Sequence, residues 1–386
     1  MKRLIFIFGG IDTTDQSIEQ MILAAQTRGI EYMEAHPERG VQEMVDQIVT
    51  FSRAGNCAAI TNNNACVMFP DESGSFWTQI GVPIYNILVD HPRNYYECLD
   101  NKIPMMCVVC IDRHHERFIR EYYPNVKRTC FVPLGGTEIS AGKPWTERET
   151  DILLLAGHHE GPPWRTIPWL SDGGKSLYEK TLENLLIKPQ LTLEQASHEA
   201  ANSLGIHPDH AQWKNLFEDY LQACEVEARR QYKETIIRQL SEAGLSIEIY
   251  GGHWGNLADL PGIHVHGRIP VWDCLALTGN AKIVLNIMPW FKEGAHDRIF
   301  TGMLNGAVSV TDTSEYLLER YTHGKDIVFY ELTNLPQLTE HLNWLLSHPN
   351  EAARIALTGQ MKAWREDTWG SRLDALLEIM EEKERL

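Results

Sequence analysis

Residues 285–312 read LNIMPWFKEGAHDRIFTGMLNGAVSVTD. An apolar run closes at Ile287, and a loop with Pro289 and Gly294 carries Lys292 and Glu293. Apolar and small residues at helical spacing then run from His296 to Asn305, Gly306 stops them, and a second apolar run follows from Ala307 to Thr311. Strand, loop, helix, glycine stop and strand in such short order are the signature of a parallel α/β sheet. The first turn at His296, Asp297 and Arg298 offers backbone N–H groups without intrahelical partners and a partial positive charge. That arrangement suits a phosphate, and Arg298 can add a charge-assisted fork. The plainer reading is a capped helix with a solvated arginine, and spacing alone does not separate the two.

Outward from this stretch the alternation continues. Toward the N-terminus lie a helix at Val271–Thr278, strands at Ile263–Val265 and Leu245–Tyr250, a helix at Tyr232–Ala243 and a strand at Asp151–Ala156. Toward the C-terminus come a strand at Asp326–Phe329 and a helical tail rich in Leu, Trp and Glu. Residues from about 160 to 230 carry no strand signal and read as a helical insertion. A hinge is expected at Pro133–Thr137 and the polar stretch to Thr150, where Pro and Gly interrupt the pattern. Before it, the first 140 residues repeat the α/β theme. The strand from Leu4 to Phe8 leads into Gly9-Gly10, and helices follow at Ile18–Ala25 and Val41–Ile48. Short apolar runs at Cys57–Ile60, Pro83–Val89, Met105–Ile111 and Thr129–Val132 read as buried parallel strands. The expectation is two α/β halves, with the chemistry in loops beyond the carboxyl ends of the strands.

With 386 residues, 43% hydrophobic and 23% charged, the chain is an ordinary globular one with two to three domains. Its 52 acidic against 35 basic residues leave a net charge of −17. That disfavours general binding to nucleic acid or anionic membrane and leaves anion binding to local clusters of cations. The opening run Leu4–Phe8 is too short for a signal peptide and ends in Gly9-Gly10 without a small-residue cleavage site. No stretch approaches the roughly 20 apolar residues of a membrane span. Eight cysteines in this length are no disulfide framework. A cytoplasmic protein is expected.

From His296 to Tyr330 the sequence resembles the C-terminal half of a GT-B glycosyltransferase, nearest to the bacterial group-1, spore-maturation (CgeB-like) family. Asp151–Gly157, Tyr250–Trp254 and the terminal helices add weaker support, and the N-terminal half agrees in pattern only. The resemblance implies an α/β, GT-B-like fold of two Rossmann-like domains facing across a cleft. Residues 1–147 would form the acceptor-side domain and 148–366 the nucleotide-sugar domain, with 367–386 packing back on the first. It implies transfer of a sugar from a nucleotide sugar, by default UDP-linked, to a glycan or protein acceptor, with no cofactor and no metal. The family often carries two glutamates eight positions apart, and these fall at Glu293 and Thr301. The departure at Thr301 passes the ribose contact to His296, Asp297 or Arg298. Gly251, Gly252, His253 and Trp254 match a glycine turn that approaches the nucleotide. Gly9 and Gly10 match a loop facing the donor diphosphate. His91, at the end of the run Ile84–Val89, matches a histidine that contacts donor sugar or acts as base, with Arg298 opposite as the group stabilising the leaving diphosphate.

Other constellations carry less. Cys107 and Cys110 sit three apart in a strand and point to opposite faces, without a partner pair at zinc spacing. His264 and His266 share a strand face but have no third ligand nearby in sequence. No Asp-x-Asp occurs, so nothing supports a metal-bridged diphosphate of that type. Two competing readings remain open: a nucleotide-sugar-binding protein that has lost its chemistry, favoured by Thr301, and a nucleotide-sugar epimerase.

Overall fold

The structure, a computed structural model, describes residues 3–65, 67, 75–139, 142–158 and 172–384. The chain divides into two compact units. Unit 1 comprises Met1–Thr137 with Arg365–Leu386, and unit 2 comprises Glu138–Trp364.

Unit 1 is built on β1 (Arg3–Ile7), β2 (Tyr32–Ala35), β3 (Cys57–Asn62), β4 (Ile84–Leu88), β5 (Met106–Cys110) and β6 (Thr129–Phe131). They form one parallel sheet in the order β2-β1-β3-β4-β5-β6. The central strands are buried along their whole length, which is why they read as unbroken apolar runs. The edge strand β2 is only half-buried and was not visible as a run. The helix Trp369–Glu384 packs on the helix Asp12–Thr27. Arg28 pairs with Asp374 at 2.6 Å, and buried Arg372 joins Asp367 at 2.6 Å and the Leu134 carbonyl at 3.0 Å. Gly135 is obligatory here, because a Cβ would lie 2.7 Å from the Trp369 amide nitrogen.

Unit 2 holds β7 (Thr150–Leu155), β8 (Ile247–Tyr250), β9 (Ile263–Val265), β10 (Ala281–Asn286), β11 (Val308–Asp312) and β12 (Val328–Tyr330). The parallel order is β12-β11-β10-β7-β8-β9, so the chain reverses its winding direction between β7 and β10. Crevices at such switch points bind ligands in open α/β sheets. The helix Asp297–Leu304 lies close on this sheet because position 302 is glycine: a Cβ there would meet Ser309 Oγ at 2.9 Å and Val284 Cβ at 3.0 Å. Buried Arg148 fastens the start of the unit, donating to the carbonyls of Thr278 (3.2 Å), Ala281 (2.7 Å) and Asn305 (2.7 Å).

The described part of the insertion is helical, with helices Asp172–Ile187, Leu193–Leu204 and His210–Asn215. The long helix Gln222–Glu242 begins ten residues before the expected start at Tyr232. Residues 159–171 lie outside the described residues. No helix among the described residues is long and apolar enough to cross a membrane.

Candidate functional site

The carboxyl ends of β7 and β10 meet the middle of the long helix Gln222–Glu242. After β7, the Gly157 carbonyl accepts from Lys233 Nζ at 2.7 Å. His158, 3% exposed, stacks on Trp254 with ring centroids 4.7 Å apart and reaches Glu234 through Nε2 at 3.0 Å. Burial holds its pKa below the ordinary histidine value, Glu234 working against that. After β10, Trp290 receives the Arg229 guanidinium over its ring at 4.1 Å, and Lys233 Nζ lies 5.7 Å from the same ring.

The Arg298 guanidinium rests on His296, with Nη2 2.7 Å from Nε2. Nδ1 of His296 accepts from the Arg298 backbone amide at 3.3 Å and from its Nε at 3.2 Å, and it also faces the Asp297 carboxylate. Burial and the Arg298 charge keep His296 below its ordinary value. Burial acts to raise Asp297, but His296 and Arg298 outweigh it and hold the carboxyl below its usual range. Arg298 Nη1 is buried and meets no hydrogen-bond partner among the described residues. Lys233 is 4% exposed, and burial, with Arg298 and Arg229 facing it, brings it down to about 7. Three cations therefore converge at the switch point, Arg229 paired with Glu225 at 2.9 Å and Arg298 beside Asp297. A buried guanidinium nitrogen without a partner is costly unless an anion completes it.

The residues singled out from the sequence distribute unevenly over this arrangement. His296, Asp297 and Arg298 are at its centre, and Glu293 lies half-buried in the same loop. Gly251 does what a close-approach glycine should: its φ is +153° and a Cβ would fall 2.0 Å from the Ala156 carbonyl oxygen. Gly252 packs under Arg268, with Nε 3.1 Å from where a Cβ would stand. His253 is exposed with φ +71°. Trp254 is a correction: it is 1% exposed, donates to the Ala156 carbonyl at 2.7 Å and belongs to the core, so it offers no face to a nucleotide. Thr301 is also buried, at 1%, within the close-packed helix.

In unit 1 the Gly9 and Gly10 amides are already taken. Both donate at 2.8 Å to the Asp15 carboxylate, whose charge repels a phosphate from that loop. His91 caps the turn Pro92–Tyr95, its Nδ1 accepting from the Arg93 amide at 3.2 Å. Its ring packs edge-on against His115 and Phe118 at 4.7 and 4.6 Å. His91 and Arg298 stand in different units. Cys107 and Cys110 are buried within β5, as expected for structural thiols. His266 pairs with Glu248 at 2.5 Å and stacks on Tyr250.

Arg229 and Lys233 were not singled out from the sequence. Four apart, they share one helix face, and the expected helix start at Tyr232 left Arg229 outside the helix that carries Lys233.

Residues 229–378 match a family described as glycosyl transferase-like. Among solved structures the chain is similar to a glycosyltransferase from Rickettsia africae, with 11% identity over 99% of this chain and 98% of that one and a TM-score of 0.53. It is similar to Anabaena Alr3699/HepE in complex with UDP-glucose, with 10% identity over 99% and 100% and a TM-score of 0.51. It is also similar to an alpha-glucosyltransferase in complex with UDP-glucose and DNA containing an abasic site, with 10% identity over 98% and 99% and a TM-score of 0.58. These likenesses show the fold: two six-stranded parallel sheets with flanking helices, as in GT-B glycosyltransferases. No curated protein matches the chain by sequence.

Proposed function

We propose that the chain is a glycosyltransferase that binds a nucleotide sugar, UDP-linked, on unit 2 and passes the sugar to a glycan or protein acceptor, with cationic side chains rather than a metal at the diphosphate. The observation that carries this reading is the cation cluster at the β7/β10 switch point, Arg298, Lys233 and Arg229, in a chain of net charge −17. The glycosyl transferase-like match over residues 229–378 spans all three residues and supports it.

In this reading the diphosphate completes Arg298 Nη1, and His296 and Asp297 hold the guanidinium in place. As the glycosidic bond to phosphate breaks, negative charge grows on the departing diphosphate. A fixed guanidinium and ammonium in a water-poor site stabilise that charge without reorganising. Arg298→Lys keeps a charge but loses the planar fork, so it restores only part of the function. The test is turnover of UDP-sugars, by donor hydrolysis and transfer to a glycan panel, for the parent, Arg298→Ala and Arg298→Lys.

Buried Thr301, at the position where the family often has a glutamate, favours a second reading: nucleotide-sugar binding without transfer. Tight UDP-sugar binding with no turnover under any acceptor would select it.

A further inference from the structure

The indole of Trp290 joins the two helices that carry the cations of the switch point. The Arg229 guanidinium lies over its ring at 4.1 Å and Lys233 Nζ at 5.7 Å, both from the helix Gln222–Glu242. The ring also stands edge-on to His296, with centroids 6.4 Å apart. His296 in turn carries the Arg298 guanidinium and caps the helix Asp297–Leu304.

Arg229 is under opposed forces. Like charges four residues apart on a helix repel, so Lys233 pushes it away. Glu225, one turn earlier, draws it in the same direction, with a carboxylate oxygen 2.9 Å from Nη2. Under these two forces alone the guanidinium moves toward Glu225 and away from Lys233. An indole face opposes both. It is the strongest cation–π partner among the side chains, and a guanidinium lies flat upon it. One ring shared by two cations offsets their repulsion and fixes the plane of Arg229. An aliphatic side chain in the same place would fill the space and do neither.

The platform is itself held. Trp290 is half-buried between buried Pro289 and buried Phe291. The Met288 amide donates to the Asp312 carboxylate at 2.7 Å, and the Phe291 amide to the Met288 carbonyl at 3.0 Å. The Lys292 ammonium donates to the carbonyls of Pro189 and Pro289. A side chain on a loop tied at several points can orient its neighbours closely.

We propose that Trp290 is a positioning residue of the donor site, holding the charge of Arg229 beside Lys233 where the diphosphate of a nucleotide sugar is bound. The proposal rests on the glycosyltransferase reading and deepens it by naming the group that keeps the cations together. Trp290 acts through Arg229 and needs no contact of its own with the donor.

The experiment is a double-mutant cycle on the full chain, read by calorimetric titration of UDP, which carries the diphosphate whatever the sugar. Trp290→Leu and Trp290→Met remove the π face and keep an apolar side chain. Each is expected to weaken UDP binding roughly three- to tenfold. Trp290→Phe keeps a smaller π face and should lose less than either. With Arg229→Ala already in place, the same replacements at Trp290 should change affinity by less than about twofold, since no guanidinium is left to hold. An equal loss in both backgrounds means that Trp290 acts by packing or by touching the nucleotide, and it overturns the proposal. So does a Phe variant as weak as the Leu variant, or apolar variants that bind UDP like the parent. Thermal unfolding beside the parent shows which apolar variant folds, and either one suffices. No UDP binding by the parent overturns the donor reading and the proposal together, whereas binding by the parent without coupling overturns the proposal alone.

Discussion

Burial brings Lys233 down to about 7, with Arg298 and Arg229 facing it. A diphosphate placed beside Lys233 favours the ammonium, so binding above pH 7 must take up a proton. UDP-glucose itself does not titrate near neutrality. Its affinity is therefore expected to fall as pH rises from 7 to 9, by up to about tenfold per unit, and Lys233→Gln should bind more weakly and without that slope. Calorimetry in buffers of differing ionisation enthalpy reads the proton directly, and a pH-independent affinity with no proton uptake contradicts the placement of Lys233. Asp312 shifts the other way: burial raises its carboxyl from 3.8 to about 7. The folded state then holds a proton that the unfolded state has released, so the stability from this group is complete below about pH 4 and is lost as pH rises through 7. Asp312→Asn should flatten that part of the stability–pH curve in urea denaturation. An unchanged slope between pH 4 and 7 would show that the carboxyl is ionised throughout.

Arg148 ties three elements together by donating to carbonyls before, at the start of and after the sheet strands it serves. Arg148→Met leaves those buried carbonyls of Thr278, Ala281 and Asn305 without their donor, at about 1–3 kcal/mol for a buried group left unmatched. A loss of about 3 kcal/mol or more is expected in denaturant unfolding, with UDP-glucose affinity retained where unit 2 stays folded. A loss within about 0.5 kcal/mol, typical of surface sites, would mean water replaces the guanidinium. The elements themselves were largely legible. Strands covered on both faces must be apolar throughout, so β1, β3, β4, β5, β7, β10 and β11 announced themselves as runs. The four-residue edge strand β2 is covered too little to leave such a mark. At the site, the segment His296–Arg298 was legible because a helix start after a buried strand is a local pattern. The Gly9-Gly10 reading failed because Asp15, five and six residues downstream, satisfies both amides, a contact that the dipeptide does not encode. Trp254 failed for the same kind of reason, since its burial depends on His158 and Ala156, distant in sequence.

At the scale of the whole molecule, unit 1 is assembled from both ends of the chain, whereas unit 2 is one continuous segment. A chain ending at Trp364 removes the helix Trp369–Glu384 from the helix Asp12–Thr27 and leaves Leu134 and Arg28 without their partners Arg372 and Asp374. Hydrogen exchange should then accelerate across β1–β6 while the strands of unit 2 keep their protection. Equal protection in unit 1 with and without the segment would show that the helix adds nothing to its stability. The central claim, that unit 2 binds a nucleotide sugar through the cations at the β7/β10 switch point, is tested most directly by titrating UDP-glucose into the parent and into Arg298→Ala. The expected result is saturable binding by the parent and a loss of about 1.5–3 kcal/mol in the variant, the size of a charge-assisted hydrogen bond. Equal binding by both proteins, or none by the parent with any UDP-sugar, would contradict it.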